Sequence, residues 1–316
     1  MRRYLLLVSL GCALLAGCGQ SISGAPGGAS GAGAGAVTPV FAFSEAVVGP
    51  NRLPIGLIRN NSPLNDPAAK VHLRFYDLND PSAQVKSEAD ATYYGQGLPA
   101  AVYVAYATFD RPGDWGVEVQ VQLAGQRAPT SSRLRLNVLP RSSVPNVGEK
   151  AIPVKTLTVR DVPDPSRLSS ASPVNPALYQ ISLDEALRSG KPTALLFATP
   201  AFCRTATCGP SLEVLGQLQQ RFGDRVNFIH VEVYRYPFAE SFERINQAAQ
   251  AATKAGRELS ADELRASFSD PMVAWRLTTE PWLYLIGADG TIVGRYEGGI
   301  TAEELAPVFE KLAAGQ

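Results

Sequence analysis

The stretch "FATPAFCRTATCGPSLEVL", Phe197 to Leu215, decides how the second half of this chain is read. It is entered from "TALLFATP", a short apolar run consistent with a strand buried on both faces. It leads into "GPSLEVLGQLQQRFG", where Leu212, Leu215, Leu218 and Phe222 recur on one side of a helix and Pro210 suits its first turn. Cys203 and Cys208 therefore sit in a strand-to-helix connection, with four residues between them. A disulfide needs Cα atoms about 4.4–6.8 Å apart. Residues five apart on a regular helix are separated by a rise of about 7.5 Å. A bonded pair requires the segment 204–207 to curl back. Cys208 precedes the helix, where the dipole favours a thiolate. Cys203 follows the strand directly. Spacing leaves open which sulfur attacks.

Outward from this stretch the pattern alternates. "ISLDEALRSGKP" carries Ser182 and Glu185 at capping-box spacing, with Gly190 and Pro192 as a stop. "RVNFIHVEVY" predicts another strand, and a helical stretch follows to about Asp270 with a second capping box at Ser260 and Glu263. "PWLYLIGADGTIVGRYEGG" predicts two strands joined through Asp289-Gly290, a strong hairpin signal. "TAEELAPVFEKLAA" predicts a terminal helix capped by Thr301 and Glu304, with Leu305, Val308, Phe309 and Leu312 as its apolar face. A strand-helix-strand unit implies a parallel pair, and the hairpin adds antiparallel strands.

Residues 37–140 read differently. "DWGVEVQVQLAG" places Trp115, Val117, Val119 and Val121 on one face, and "SRLRLNVLP", "AKVHLRFYDL" and "AAVYVAYATF" supply further strands. Turn residues punctuate them, and the expectation is an all-β sandwich without a disulfide staple. "RPGDWGVEVQVQL" loosely resembles immunoglobulin-like modules of bacterial envelope proteins, which implies a sandwich of that type. His72 falls in a strand pattern and reads as a surface or packed residue. From 141 to 176 prolines recur, predicting an extended, semi-rigid linker in which "KTLTVRDV" adds an edge strand to either neighbour.

The N-terminus, "MRRYLLLVSLGCALLAGC", reads as a secretory signal over residues 1–18. "LAGC", Leu15 to Cys18, resembles the lipobox of bacterial lipoproteins, which implies lipidation at Cys18; the plainer alternative is an ordinary cleavable signal. Residues 19–36 are Gly/Ser/Ala-rich and uncharged, a flexible tether spanning roughly 25 Å. The implied location is the extracytoplasmic face of the cell membrane. Formal net charge is zero, and nothing is basic enough for nucleic acid. Outside the cytoplasm, the pair Cys203–Cys208 is expected to oxidise unless something reduces it.

The element order, with cysteines directly after the first core strand, resembles the thioredoxin fold over about residues 177–316. "LLFATPAFC" is similar to the strand and loop that lead to that family's nucleophilic cysteine. "LTTEPWLYLIGADGTIVGRYEGG" is similar to its segment with a cis-proline, and Pro281 matches that proline. The resemblance implies a thiol–disulfide oxidoreductase acting on envelope proteins, with Cys203, Cys208 and Pro281 at its site and no cofactor. Most members have two residues between the cysteines rather than four. Two registers follow: Cys203 as nucleophile counted from the strand, or Cys208 counted from "CGPS", with Ser211 in the partner's place. The family's buried carboxylate is missing from "TALLFAT", which leaves Glu280 as the nearest acid by family geometry, read either as an exposed loop carboxylate or as a proton relay. Arg204 is a candidate for stabilising a thiolate. Two alternatives stand beside this reading: a non-catalytic adaptor with a structural disulfide, and a copper-handling protein using both cysteines with His230 or Met272. A peroxidase reading has weaker support from "TPAFC". The insertion between Tyr236 and Asp270 is expected near the site, as a partner-binding lid or a solvated decoration.

Overall fold

A computed structural model describes residues 36–315. The signal, the lipobox at Cys18 and nearly all of the tether lie outside the described residues. Within the described residues no helix is long and apolar enough to cross a membrane.

The N-terminal half contains β1 (Val37–Phe41), β2 (Ala46–Val47), β3 (Gly49–Arg59), β4 (Ser62–Pro63), β5 (Lys70–Asp77), β6 (Val85–Tyr94), β7 (Val102–Phe109), β8 (Gly113–Gln122) and β9 (Thr130–Leu139). They form one nine-stranded sheet in the order β1-β3-β7-β6-β5-β8-β9-β2, with β4 paired to β3. The strand alternation in β8 holds: Trp115, Val117, Val119 and Val121 are buried. They pack with Phe75 and Phe109, whose rings meet edge to face.

The expectation of an immunoglobulin-like sandwich is met only in its sheet content. The long strand β6 pairs with β5 along residues 85–91 and with β7 along 92–94. It carries hydrogen bonding across what would be the gap between two sheets, so the layers are continuous. The result is a sheet-rich half-barrel curved around its own core.

The C-terminal half contains α1 (Leu183–Ala186), β10 (Thr193–Ala198), α2 (Cys208–Phe222), β11 (Asn227–Glu232), α3 (Phe238–Lys254), α4 (Ala261–Ser267), α5 (Asp270–Ala274), β12 (Trp282–Ile286), β13 (Ile292–Glu297) and α6 (Ala302–Ala313). The sheet order is β11-β10-β12-β13, with β10 and β11 parallel and the other pairs antiparallel. Strand β10 is buried along its whole length. Ala194, Leu196 and Ala198 face the core under α2 and α6, whereas Leu195 and Phe197 face a second core with Trp275 and Tyr284. That two-sided burial is why the run is uninterrupted by polar residues.

The segment 141–176 is ordered against this domain. Ala151 N donates to Gly290 O (2.9 Å), Trp275 Nε1 donates to Ile152 O (3.1 Å), and Leu183 N donates to Thr156 Oγ1 (3.0 Å). "KTLTVRDV" forms no strand; Thr156 and Thr158 are buried and bonded through side chains instead.

The two halves meet through Arg52 of β3. Its guanidinium grips Glu304 at the start of α6 with two bonds (2.7 and 2.8 Å) and donates to Glu297 O and Gly299 O. Thr301 caps α6 as expected, accepting from Glu304 N, but the Glu304 carboxylate turns to Arg52 rather than back to the cap.

Candidate functional site

The site forms where β10 ends and α2 begins. Cys208 is the first residue of α2, after Thr207 at its N-cap. The segment 204–207 curls back as the spacing demands, and Ala206 turns it with φ +57°. The curl carries Cys203 to the helix N-terminus: Cys208 N donates to Cys203 Sγ at 3.2 Å. Both cysteines are free; Cys208 is wholly buried and Cys203 partly exposed. The Thr205 hydroxyl lies 3.4 Å from Cys203 Sγ and 2.7 Å from the Thr207 hydroxyl.

These donors set the sulfur electrostatics. The Cys208 thiol, then Thr205 and the backbone N–H groups of Cys208 and Thr207, hold Cys203 down at about 5, against the opposing effect of burial. The neighbouring Cys203 sulfur, and then burial, push the Cys208 thiol far up. The helix N-terminus stabilises a thiolate, as its dipole requires, but on the upstream sulfur. Arg204 is exposed and hydrogen-bonds Asn246 of α3, so it supplies none of the bonds that hold this sulfur.

Pro281 follows a cis peptide bond from Glu280 and is buried at the start of β12. Gly298 N donates to Pro281 O at 3.0 Å, tying this turn to the loop after β13. The Glu280 carboxylate, Cys203 Sγ and Cys208 Sγ all lie within 4.8 Å of one another. Burial, and then the nearby Cys203 sulfur, raise Glu280 to about 7.

One acid escaped the sequence reading. Glu232 ends β11, directly beside Ala198 of β10. It is buried and raised to about 7 by that burial, although its carboxylate accepts from Ser170 N (2.8 Å) and from its neighbour Val233 N (3.2 Å). The charge on Glu232 contributes to raising Glu280. The family's buried carboxylate is absent from β10, and an acid stands on the adjacent strand instead.

The candidate copper ligands do not join the site. His230 is buried; Tyr179 Oη donates to its Nδ1 (2.6 Å) and its Nε2 donates to Ala198 O (3.0 Å). Burial holds it neutral at about 4, and neither nitrogen is free. Met272 is packed in the same buried core as Trp275. His72 lies on β5 of the half-barrel beside Asp90.

The insertion packs against the cysteine loop. Phe242 of α3 meets Phe202 at 5.3 Å and Tyr234 at 5.4 Å between ring centroids. Beside it, a cleft of about 590 Å³ is lined by Val174, Ala201, Phe202, Pro237 and Phe238. On the opposite side, Gly299 fits between Leu98 of the half-barrel and Thr207, where an added Cβ would stand 3.0 Å and 3.6 Å from them.

Residues 179–313 match the family model of the thioredoxin-like domain. No curated protein matches the chain. Among solved structures, a protein assigned as the thiol:disulfide interchange protein DsbE of Chlorobium tepidum aligns at 16% identity over 54% of this chain and 99% of its own, with a TM-score of 0.33. A DUF4426 family protein from Pseudomonas aeruginosa aligns at 12% identity over 34% of this chain and 91% of its own, with a TM-score of 0.24. A hypothetical protein from Pyrococcus horikoshii aligns at 13% identity over 34% and 93%, also at 0.24. These scores are too low to carry architecture or function across. The family match and the placement of the cysteines after β10 agree: the C-terminal part of this chain is a thioredoxin-like domain.

Proposed function

We propose that this protein exchanges disulfides with other proteins, with Cys203 as the attacking sulfur and Cys208 as the resolving one. The observation that carries the reading is the hydrogen bond from Cys208 N to a partly exposed Cys203 Sγ, with Cys208 buried behind it. Exchange needs an accessible thiolate and a second sulfur within reach.

The Cys203 thiolate attacks one sulfur of a partner disulfide; the partner's other sulfur leaves as thiolate and takes up a proton. Glu280, beside both sulfurs, accepts the proton of Cys208. The Cys208 thiolate then attacks Cys203 Sγ and expels the partner's remaining thiolate. The partner gains two electrons, and the Cys203–Cys208 disulfide forms. Run backwards, the same steps oxidise a partner dithiol. Pro281 presents backbone beside the pair for the partner chain.

The setting we infer is the envelope. Lipidation at Cys18 would anchor the chain to the membrane, with residues 19–36 as the tether. A Cys18→Ala variant found in the soluble fraction supports the anchor; unchanged membrane retention contradicts it.

Trapping tests the roles. Cys208→Ser should accumulate mixed disulfides with partner proteins through Cys203, and Cys203→Ser should accumulate none. The reverse pattern overturns the assignment. No adduct in either variant, with a pair potential far below about −300 mV, favours a structural disulfide in a non-catalytic adaptor.

A further inference from the structure

We propose that the reduced pair and Glu280 bind one zinc ion, through Cys203 Sγ, Cys208 Sγ and a Glu280 carboxylate oxygen. The three donors come from separate segments: the loop after β10, the first turn of α2 and the turn before β12. All three ligand atoms lie within 4.8 Å of one another. Zinc bonds of about 2.3 Å to sulfur and about 2.0–2.2 Å to oxygen set tetrahedral ligand atoms roughly 3.5–3.8 Å apart. Small side-chain rotations close that difference. Cys208 forms the floor, while Cys203 and Glu280 are only partly buried, so the ion enters from solvent. Three protein ligands leave the fourth position open to water.

The donor set selects the ion. Two thiolates exclude magnesium and calcium, which take oxygen ligands. Cu(I) favours soft sulfur and has no use for a carboxylate, and His230, the candidate nitrogen ligand for it, has both nitrogens engaged. Zinc accepts thiolate and carboxylate together. Binding displaces the Cys208 proton to solvent and ties up both sulfurs. Zinc-bound protein is therefore closed to exchange. The ion must leave before Cys203 can attack a partner disulfide. Once it has left, the pair passes two electrons to that disulfide, the Cys203–Cys208 bond forms, and the partner's two sulfurs leave as thiolates that take up protons from solvent.

The inference uses the same reduced pair as the exchange reading but does not depend on it. Cobalt reports the site directly. The reduced full chain, titrated with Co²⁺, should bind one equivalent with a thiolate-to-cobalt charge-transfer band, and one equivalent of Zn²⁺ should abolish it. Cys203→Ser and Cys208→Ser should each diminish the band. Glu280→Gln, with an unchanged melting temperature, should weaken binding by at least the about tenfold that losing even an outer-shell partner costs. Absence of the band, or affinity indifferent to Glu280→Gln, overturns the proposal. Mixed-disulfide trapping on metal-free protein reads exchange separately, so either reading can fail alone.

Discussion

Arg52 and Glu304, 252 residues apart in sequence, form a buried two-bond ion pair that joins the half-barrel to the thioredoxin-like domain. The side chains are 6% and 2% exposed, so neither charge has water to fall back on. The remaining guanidinium bonds reach the carbonyls of Glu297 and Gly299, in the loop that also holds Pro281 through Gly298 N. The half-barrel is thereby part of the framework of the thiol site rather than a detached spacer.

Removing one partner strands the other. Arg52→Ala should cost about 3–5 kcal/mol, as breaking a buried pair does, whereas Arg52→Met combined with Glu304→Leu should recover most of that loss. Urea unfolding measures both. A cost below about 1 kcal/mol for Arg52→Ala would show that water replaces the pair. Because Gly299 abuts Thr207, the single variant should also alter the alkylation rate of Cys203.

Gly298 tests the same loop through its backbone. Its φ is +80°, and a Cβ there would stand 2.8 Å from Ala42 O, which is backbone and cannot swing aside. Gly298→Ala should destabilise by more than about 1 kcal/mol, combining the left-handed strain with the clash. Gly290→Ala, at φ +81° but facing open space, isolates the strain alone. Equal losses for the two variants would mean that the contact with Ala42 is soft.

Much of the thioredoxin-like domain was legible in the sequence because its signals are local. The Ser260–Glu263 capping box forms with both bonds, and Asp289-Gly290 turns the hairpin as read. The half-barrel was less so. β6 alternates between partly buried and exposed positions, which gave "VKSEADATYY" no clear apolar face and hid the strand that fuses the two layers. The contact between Cys208 N and Cys203 Sγ was not legible because it depends on how four loop residues curl. Glu232 was hidden for another reason. Strand β11 is buried on both faces from Phe228 onward, so alternation along "NFIHVE" could not say that the acid points inward. Arg52 carries no local signal, since its partners are all remote.

The Cys203 environment predicts a pH profile. With its value near 5, the thiolate fraction is half-maximal there, so iodoacetamide should react at a nearly constant rate from pH 7 to 8 and fall off below about pH 6. The Cys208 thiol is the largest contributor. Cys208→Ala should therefore move the midpoint up toward the about 8.5 of a free cysteine, and Thr205→Val should move it less. A wild-type midpoint at or above pH 8 would show that the hydrogen bonds to Cys203 do not persist in solution.

Glu232 predicts a pH dependence of stability with the opposite sense to an ordinary carboxylate. Burial raises its folded value to about 7 from 4.5. The folded state thus favours the protonated acid: the stabilisation is complete below about pH 4.5 and is lost as pH rises through 7. A shift of that size corresponds to about 3 kcal/mol, as an upper bound because Glu232 and Glu280 influence each other. Glutamine cannot ionise, so Glu232→Gln should gain on the wild type as pH rises from 4 to 9, whatever constant cost its amide adds by losing an acceptor for Ser170 or Val233 N–H. Chemical unfolding of both proteins across that range reads the difference. A gap that stays flat would mean that Glu232 ionises freely in the folded state, with water reaching the end of β11.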